Sequence, residues 1–133
     1  MLATMISDPT QPVRALWERM NHRDWDSLER LLDGGFSAVW PQTGERIPSR
    51  DAYIGLNRTY PGSWTIQVET VDATAEGAVA RVRICNGAEA LYAIGFYRVM
   101  GNKILSAEEY FADMGTPPYD RSEWTEPLAA PVG

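Results

Sequence analysis

The stretch LYAIGFYRVMGNKILSAEEYFAD, residues 91–113, decides the fold. It reads as two long β-strands, Ala90 to Met100 and Lys103 to Asp113, turning at Gly101-Asn102. At ~3.3 Å per residue each strand reaches about 36 Å. Its register decides the site. A two-residue loop pairs Met100 with Lys103 and puts Glu109 on the face of Tyr92, Ile94 and Phe96. A three-residue loop, Met100 to Asn102, puts Glu109 with Leu91, Ala93, Gly95 and Tyr97, because a slip of one residue moves every side chain to the opposite face. Alternation within the last strand groups Glu109 with Leu105, Ala107, Phe111 and Asp113, and turns Glu108 and Tyr110 away.

Working back along the chain, Trp64 to Asp72 and Ala78 to Cys85 also alternate, with turns at Ala75-Glu76-Gly77 and Asn86-Gly87. Before Trp64 the period changes. Val13, Leu16, Trp17 and Met20 follow helical spacing behind a cap at Asp8 or Thr10. Asp24 caps a short second helix carrying Trp25, Leu28, Leu31 and Leu32, which Gly34-Gly35 ends. Phe36 to Trp40 is a short strand stopped by Pro41, and Thr43-Gly44 is a turn. Ser49 caps a third helix, from Arg50 to about Tyr60, that buries Ala52, Tyr53 and Leu56. Helices first and a meander of long antiparallel strands afterwards predict an α+β domain, with the helices on one face of the sheet. The tail from Gly115 is rich in proline, with Tyr119 and Trp124 as possible anchors, and residues 1 to 8 read as a loose arm.

The whole chain of 133 residues fits one domain, with a core over about 10–126 and flexible ends. Apolar residues make up 44% of it, and five Trp and six Tyr supply large rings for a core or a cavity wall. A net charge of −6 argues against nucleic acid and against an anionic membrane surface. No apolar run approaches a membrane span, the N-terminus lacks the basic and apolar regions of a signal peptide, and a single cysteine, Cys85, permits no internal disulfide. A cytoplasmic location is expected. No metal-ligand spacing, phosphate-binding glycine loop or nucleophile motif is present, so neither metal nor cofactor is expected.

The segments WERMNHRDWDSLERLL, LYAIGFYRVMGNKI and ILSAEEYFAD, in this order and spacing, resemble the nuclear transport factor 2-like superfamily and its SnoaL-like branch. The resemblance covers roughly residues 10 to 126. It implies a cone, a bent antiparallel sheet wrapped around the N-terminal helices with a pocket at its wide end. Its members include steroid isomerases, polyketide cyclases, dehydratases, epoxide hydrolases and plain binding or transport proteins, so the fold does not give the function.

Where the resemblance implies the tyrosine, the base and the protonated acid of the ketosteroid isomerases, this chain has Leu16, Trp40 and Gly95 at or beside those places. None carries a group for that chemistry. The dehydratases need more than one pocket histidine, and His22, the only one, sits in a turn. Arg81, Arg83 and Asp113 supply parts of an epoxide hydrolase constellation, but their convergence is not visible in the sequence. The cyclases rely on an acidic residue late in the fold, which Glu109 or Asp113 could supply.

The resemblance also favours the register that turns Tyr97 and Glu109 into the pocket. The expected catalytic groups are therefore Glu109 or Asp113 as proton shuttle and Tyr97 as donor to an oxyanion. Trp40, Tyr53, Tyr60, Trp64, Gly95, Phe111 and Arg83 are candidates to bind a small apolar substrate, Gly95 by leaving space for it. Pairing of Glu109 with Arg81 or Arg83 is the plain structural alternative. Two functions remain open at this stage. One is a cofactor-free cyclase, isomerase or dehydratase acting on a small apolar carbonyl compound. The other is a non-catalytic ligand-binding or protein-interaction domain. A homodimer is expected through the outer sheet face bearing Ile94, Phe96 and Tyr110.

Overall fold

The structure is a computed structural model that describes residues 8–129. Residues 1–7 of the expected loose arm and 130–133 of the tail lie outside the described residues. Helix α1 (Thr10–Asn21) buries Val13, Leu16, Trp17 and Met20, the stripe that its spacing predicts. At its start the Asp8 carboxylate accepts from the Thr10 amide (3.0 Å) and hydroxyl (2.7 Å). Helix α2 (Trp25–Glu29) is capped by Asp24, which accepts from the Ser27 amide. It is shorter than expected. Leu32 opens strand β1 (Leu32–Trp40), which runs straight through Gly34-Gly35. The glycine pair that reads as a helix stop is the exposed part of a strand, anchored on either side by buried Leu32 and Phe36.

A short strand the sequence did not announce, β2 (Glu45–Ile47), turns back along β1. Helix α3 (Arg50–Arg58) follows, its cap formed by Ser49 Oγ accepting from the Ala52 amide at 3.1 Å. Four strands complete the sheet: β3 (Trp64–Ala73), β4 (Gly77–Asn86), β5 (Glu89–Met100) and β6 (Lys103–Asp113). The sheet is curved and unclosed, in the order β2-β1-β6-β5-β4-β3. It is mixed rather than wholly antiparallel, because β1 lies parallel to β6. The long excursion through β2, α3 and three strands brings the chain back alongside β1 in the same direction. Helix α1 packs against β3, β4 and β6, and α3 against β1.

The hairpin register resolves in an unexpected way. Met100 pairs with Lys103 and Val99 with Ile104, so the tip is the two-residue loop Gly101-Asn102. The register then shifts by one, with Arg98 opposite Ser106. Leu105 is the extra residue of a β-bulge, which moves Ile104 rather than Leu105 into the core. Beyond the bulge Tyr97 faces Ala107 and Gly95 faces Glu109. The face expected for Glu109 from a longer loop is thus produced by a short loop and a bulge.

Residues 114–129 form no helix or strand, and Tyr119 and Trp124 are 67% and 82% exposed, so neither anchors the segment. No helix among the described residues is long and apolar enough to cross a membrane. Because Ser49 starts the helix that carries Tyr53 inward, Ser49→Ala is expected to destabilise the domain by about 0.5–2 kcal/mol, measured by urea unfolding.

Candidate functional site

Strand β6 passes through the middle of the sheet, and the bulge at Leu105 sets which of its side chains point inward. Glu109 does, and it is 1% exposed, the one carboxylic or basic side chain in the core among the described residues. Its carboxyl group receives three hydrogen bonds. Tyr97 Oη donates to Oε2 at 2.7 Å, Tyr53 Oη donates to Oε2 at 2.9 Å, and Trp40 Nε1 donates to Oε1 at 3.0 Å. Behind Tyr97, Trp17 Nε1 donates to the tyrosine oxygen at 3.1 Å. The donors come from α1, β1, α3 and β5, so the site exists only when helices and sheet are assembled.

The direction of these bonds is dictated by chemistry. An indole nitrogen can only donate. Trp17 therefore fills an acceptor position on Tyr97 and turns that hydroxyl's own proton toward Glu109. Trp40 does the same directly at Oε1. Every fixed donor converges on the carboxyl group, an arrangement made to hold negative charge.

No cation shares the site. Among the described residues Arg81 pairs with Glu69 at 3.0 Å and Arg83 bonds Gln67 at 3.3 Å, both away from Glu109. Burial accordingly raises the Glu109 pKa above its usual 4.5, against the opposing pull of the bonds from Trp40, Tyr97 and Tyr53. The two phenols are pushed well above their usual range, first by burial and then by the nearby carboxylate. They therefore remain protonated donors at neutral pH.

Gly95 explains how Tyr97 reaches its partner. Glu109 sits directly across from Gly95, not from Tyr97. A Cβ at residue 95 would collide with the Tyr97 hydroxyl and ring. The phenol therefore leans along β5 over the bare glycine backbone to meet the carboxyl. The space at Gly95, expected for a ligand, is filled by the protein's own ring.

The other candidates scatter. Phe111 stands beside the site, its ring edge-on to Trp40 with centroids 5.1 Å apart. Trp64 is buried at 8% exposure, under the Arg23 guanidinium, which lies 3.6 Å from its ring centre. Tyr60 is 52% exposed beyond the end of α3. Asp113 is exposed at the end of β6, opposite Leu91. Arg83 lies on the face of the sheet opposite to buried Val82. The outer face also carries Phe96, which stacks edge-on against Tyr110 at 6.4 Å. Trp17, which the sequence places only in the apolar stripe of α1, is a member of the site. Its stripe position showed that it is buried, but not which way its N–H points.

The interior around Glu109 is packed rather than hollow, since Trp17, Tyr53 and Tyr97 are each no more than 2% exposed. A groove of about 500 Å³ lies on the outer face, along Phe96, Arg98, Ser106 and Glu108. A second, of about 440 Å³, lies by the β3–β4 turn and the β5–β6 tip. Glu109 lines neither.

No protein-family model matches the sequence, and no curated protein sequence does either. Solved structures do. A protein from Kribbella flavida, assigned provisionally as a ketosteroid isomerase, superposes with a TM-score of 0.80 at 27% identity, over 92% of this chain and 90% of that one. A nuclear transport factor 2-like protein of unknown function from Burkholderia xenovorans gives 0.77 at 21% identity, over 91% and 95%. IdmH from Streptomyces antibioticus, assigned provisionally as a polyketide cyclase, gives 0.68 at 15% identity, over 79% and 92%. The chain has the nuclear transport factor 2-like, SnoaL-like α+β fold that its sequence resembles.

Two outcomes test this geometry. Gly95→Ala is expected to cost about 1–3 kcal/mol by overpacking against Tyr97, seen as a lower unfolding midpoint, and to break the Tyr97–Glu109 bond. The second concerns pH. With its folded pKa raised, Glu109 keeps its proton longer in the folded than in the unfolded chain. Its contribution is therefore most favourable below the ordinary carboxyl range and is lost as pH rises through the raised value. Relative to Glu109→Gln, the native protein should lose stability over that window in urea titrations at several pH values. A gap that is constant, or that moves in favour of the native protein, would mean that the three donors outweigh burial.

Proposed function

We propose that this protein is a cofactor-free acid/base catalyst acting on a small, largely apolar carbonyl compound, with Glu109 as its proton shuttle. The observation that carries the proposal is a carboxyl group buried at 1% exposure, ringed by neutral donors and paired with no cation. A buried carboxyl without a counter-charge is costly as a structural device, since an apolar side chain of similar size would fill the space more cheaply. A raised pKa in a dry site suits a group that takes a proton and returns it.

The two oxygens divide the work. Oε2 is held by Tyr53 and Tyr97 in the deepest part of the core, and Oε1 faces the half-buried Trp40. Oε1 is the end that takes a proton from the carbon beside the substrate carbonyl. The C–H pair becomes a C=C bond to the carbonyl carbon, and the C=O π pair moves to the oxygen, giving an enolate. The proton then returns to another carbon of a conjugated enolate in an isomerisation, or the enolate carbon attacks a second carbonyl in a cyclisation and the alkoxide so formed takes the proton back from Glu109. Tyr97 is already committed to the carboxylate. Its part is to hold Glu109, and to turn toward a substrate oxyanion once Glu109 is protonated and needs fewer donors. The Kribbella flavida and Streptomyces antibioticus proteins, with the assignments given above, lend the reading general support.

A second reading has a specific observation behind it. The carboxyl group is closed off and fully bonded, which also suits a non-catalytic ligand-binding or protein-interaction domain with a structural polar core. The exchange of α-hydrogens of 2-tetralone in D2O, followed by NMR, separates the two. The catalytic reading expects accelerated exchange that falls by about 10²–10⁴-fold in Glu109→Gln. The same small rate in both proteins would leave the non-catalytic reading.

A further inference from the structure

Trp40 differs from the other rings of the site. Trp17, Tyr53 and Tyr97 are sealed in, whereas Trp40 is half-buried. It ends β1, beside the three-residue edge strand β2, and its neighbour Phe111 is half-buried as well. Its indole is the single donor to Oε1, while Oε2 has two. The turn that follows it is tied down, because Gln42 Oε1 accepts from the Phe111 amide at 2.8 Å. Trp40 can therefore leave by rotating its side chain, with the backbone anchored. Its departure would free a flat space of indole size and strip one carboxylate oxygen of its partner.

We propose that Trp40 is an internal stand-in for the ligand, and that the native ligand displaces it with a planar, largely apolar ring system whose edge presents one O–H or N–H to Glu109 Oε1. The inference rests on the acid/base reading of Glu109 and narrows its substrate class. A purely apolar ring would only replace the contacts of the displaced indole while leaving the buried oxygen unpaired, a loss with nothing to offset it. A bare carbonyl oxygen offers no proton to Oε1 when Glu109 is ionised, and would be repelled by it in that state. A two-ring ketone passing through its enol has both the shape and the donor, and its enol O–H takes the place of the indole N–H.

The test uses 2-naphthol, a locked enol of this shape, and 2-methoxynaphthalene, which keeps the rings and lacks the donor. The native protein, labelled with ¹⁵N-tryptophan, is titrated with each, and the Trp40 indole signal is assigned with Trp40→Phe. The expected result is at least tenfold tighter binding of 2-naphthol, a shift of the Trp40 signal, and an unmoved Trp17 signal. In Trp40→Ala, indole should bind and raise the unfolding midpoint, and indene, its counterpart without the N–H, should bind at least tenfold more weakly. If that variant does not fold, the native titration decides alone. Equal affinity for the two naphthalenes, no binding of 2-naphthol, or binding with the Trp40 signal unmoved would each overturn the proposal. Displacement of Trp40 without any 2-tetralone exchange would instead sink the catalytic reading and leave the ligand exchange standing.

Discussion

Three neutral donors hold one buried carboxyl group, and the interior is arranged around that contact. Each supporting element has a reason that leads back to it. The β-bulge at Leu105 turns Glu109 inward. Gly95 clears the path along which the Tyr97 ring lies. Ser49 starts the helix that delivers Tyr53, and the buried stripe of α1 delivers Trp17 behind Tyr97. A buried charge is tolerable only where its hydrogen-bonding capacity is filled, so the donors cannot be altered one at a time without consequence.

Much of the architecture was legible because it depends on periodicity and punctuation. The apolar spacing of α1, the cap at Ser49 and the alternation of the last four strands lie in the local sequence, and the bounds of β6 agree with it residue for residue. What was illegible depends on distant parts of the chain. Gly34-Gly35 reads as a helix stop by local preference, yet it lies inside β1, in the register break between the Leu32–Ile104 and Ser37–Ser106 pairs with β6. Strand β2 is three residues long and exists by pairing with β1. The bulge leaves no local mark, because Ile104 and Leu105 are equally apolar and only packing selects the one that faces the core.

The site was legible in part for the same reason. The inward orientation of Tyr97 and Glu109 followed from register and resemblance, and the two meet at 2.7 Å. Tyr53, 56 positions away in the chain, was expected as a wall residue and is a donor to the carboxyl group. Positions where the resemblance would place a base and a protonated acid carry Trp40 and Gly95. Both remain at the centre, one bonding Glu109 and the other making room for Tyr97.

The account depends on a carboxyl group whose burial prevails over the donors around it. Its most direct measurement is a ¹³C NMR titration of the Glu109 side-chain carboxyl, assigned with Glu109→Gln. The account predicts a midpoint clearly above the ordinary 4.5 and a single transition undisturbed by any neighbouring cation. A midpoint at or below that value would show a stable carboxylate held by its three donors, which contradicts a proton shuttle with a raised pKa.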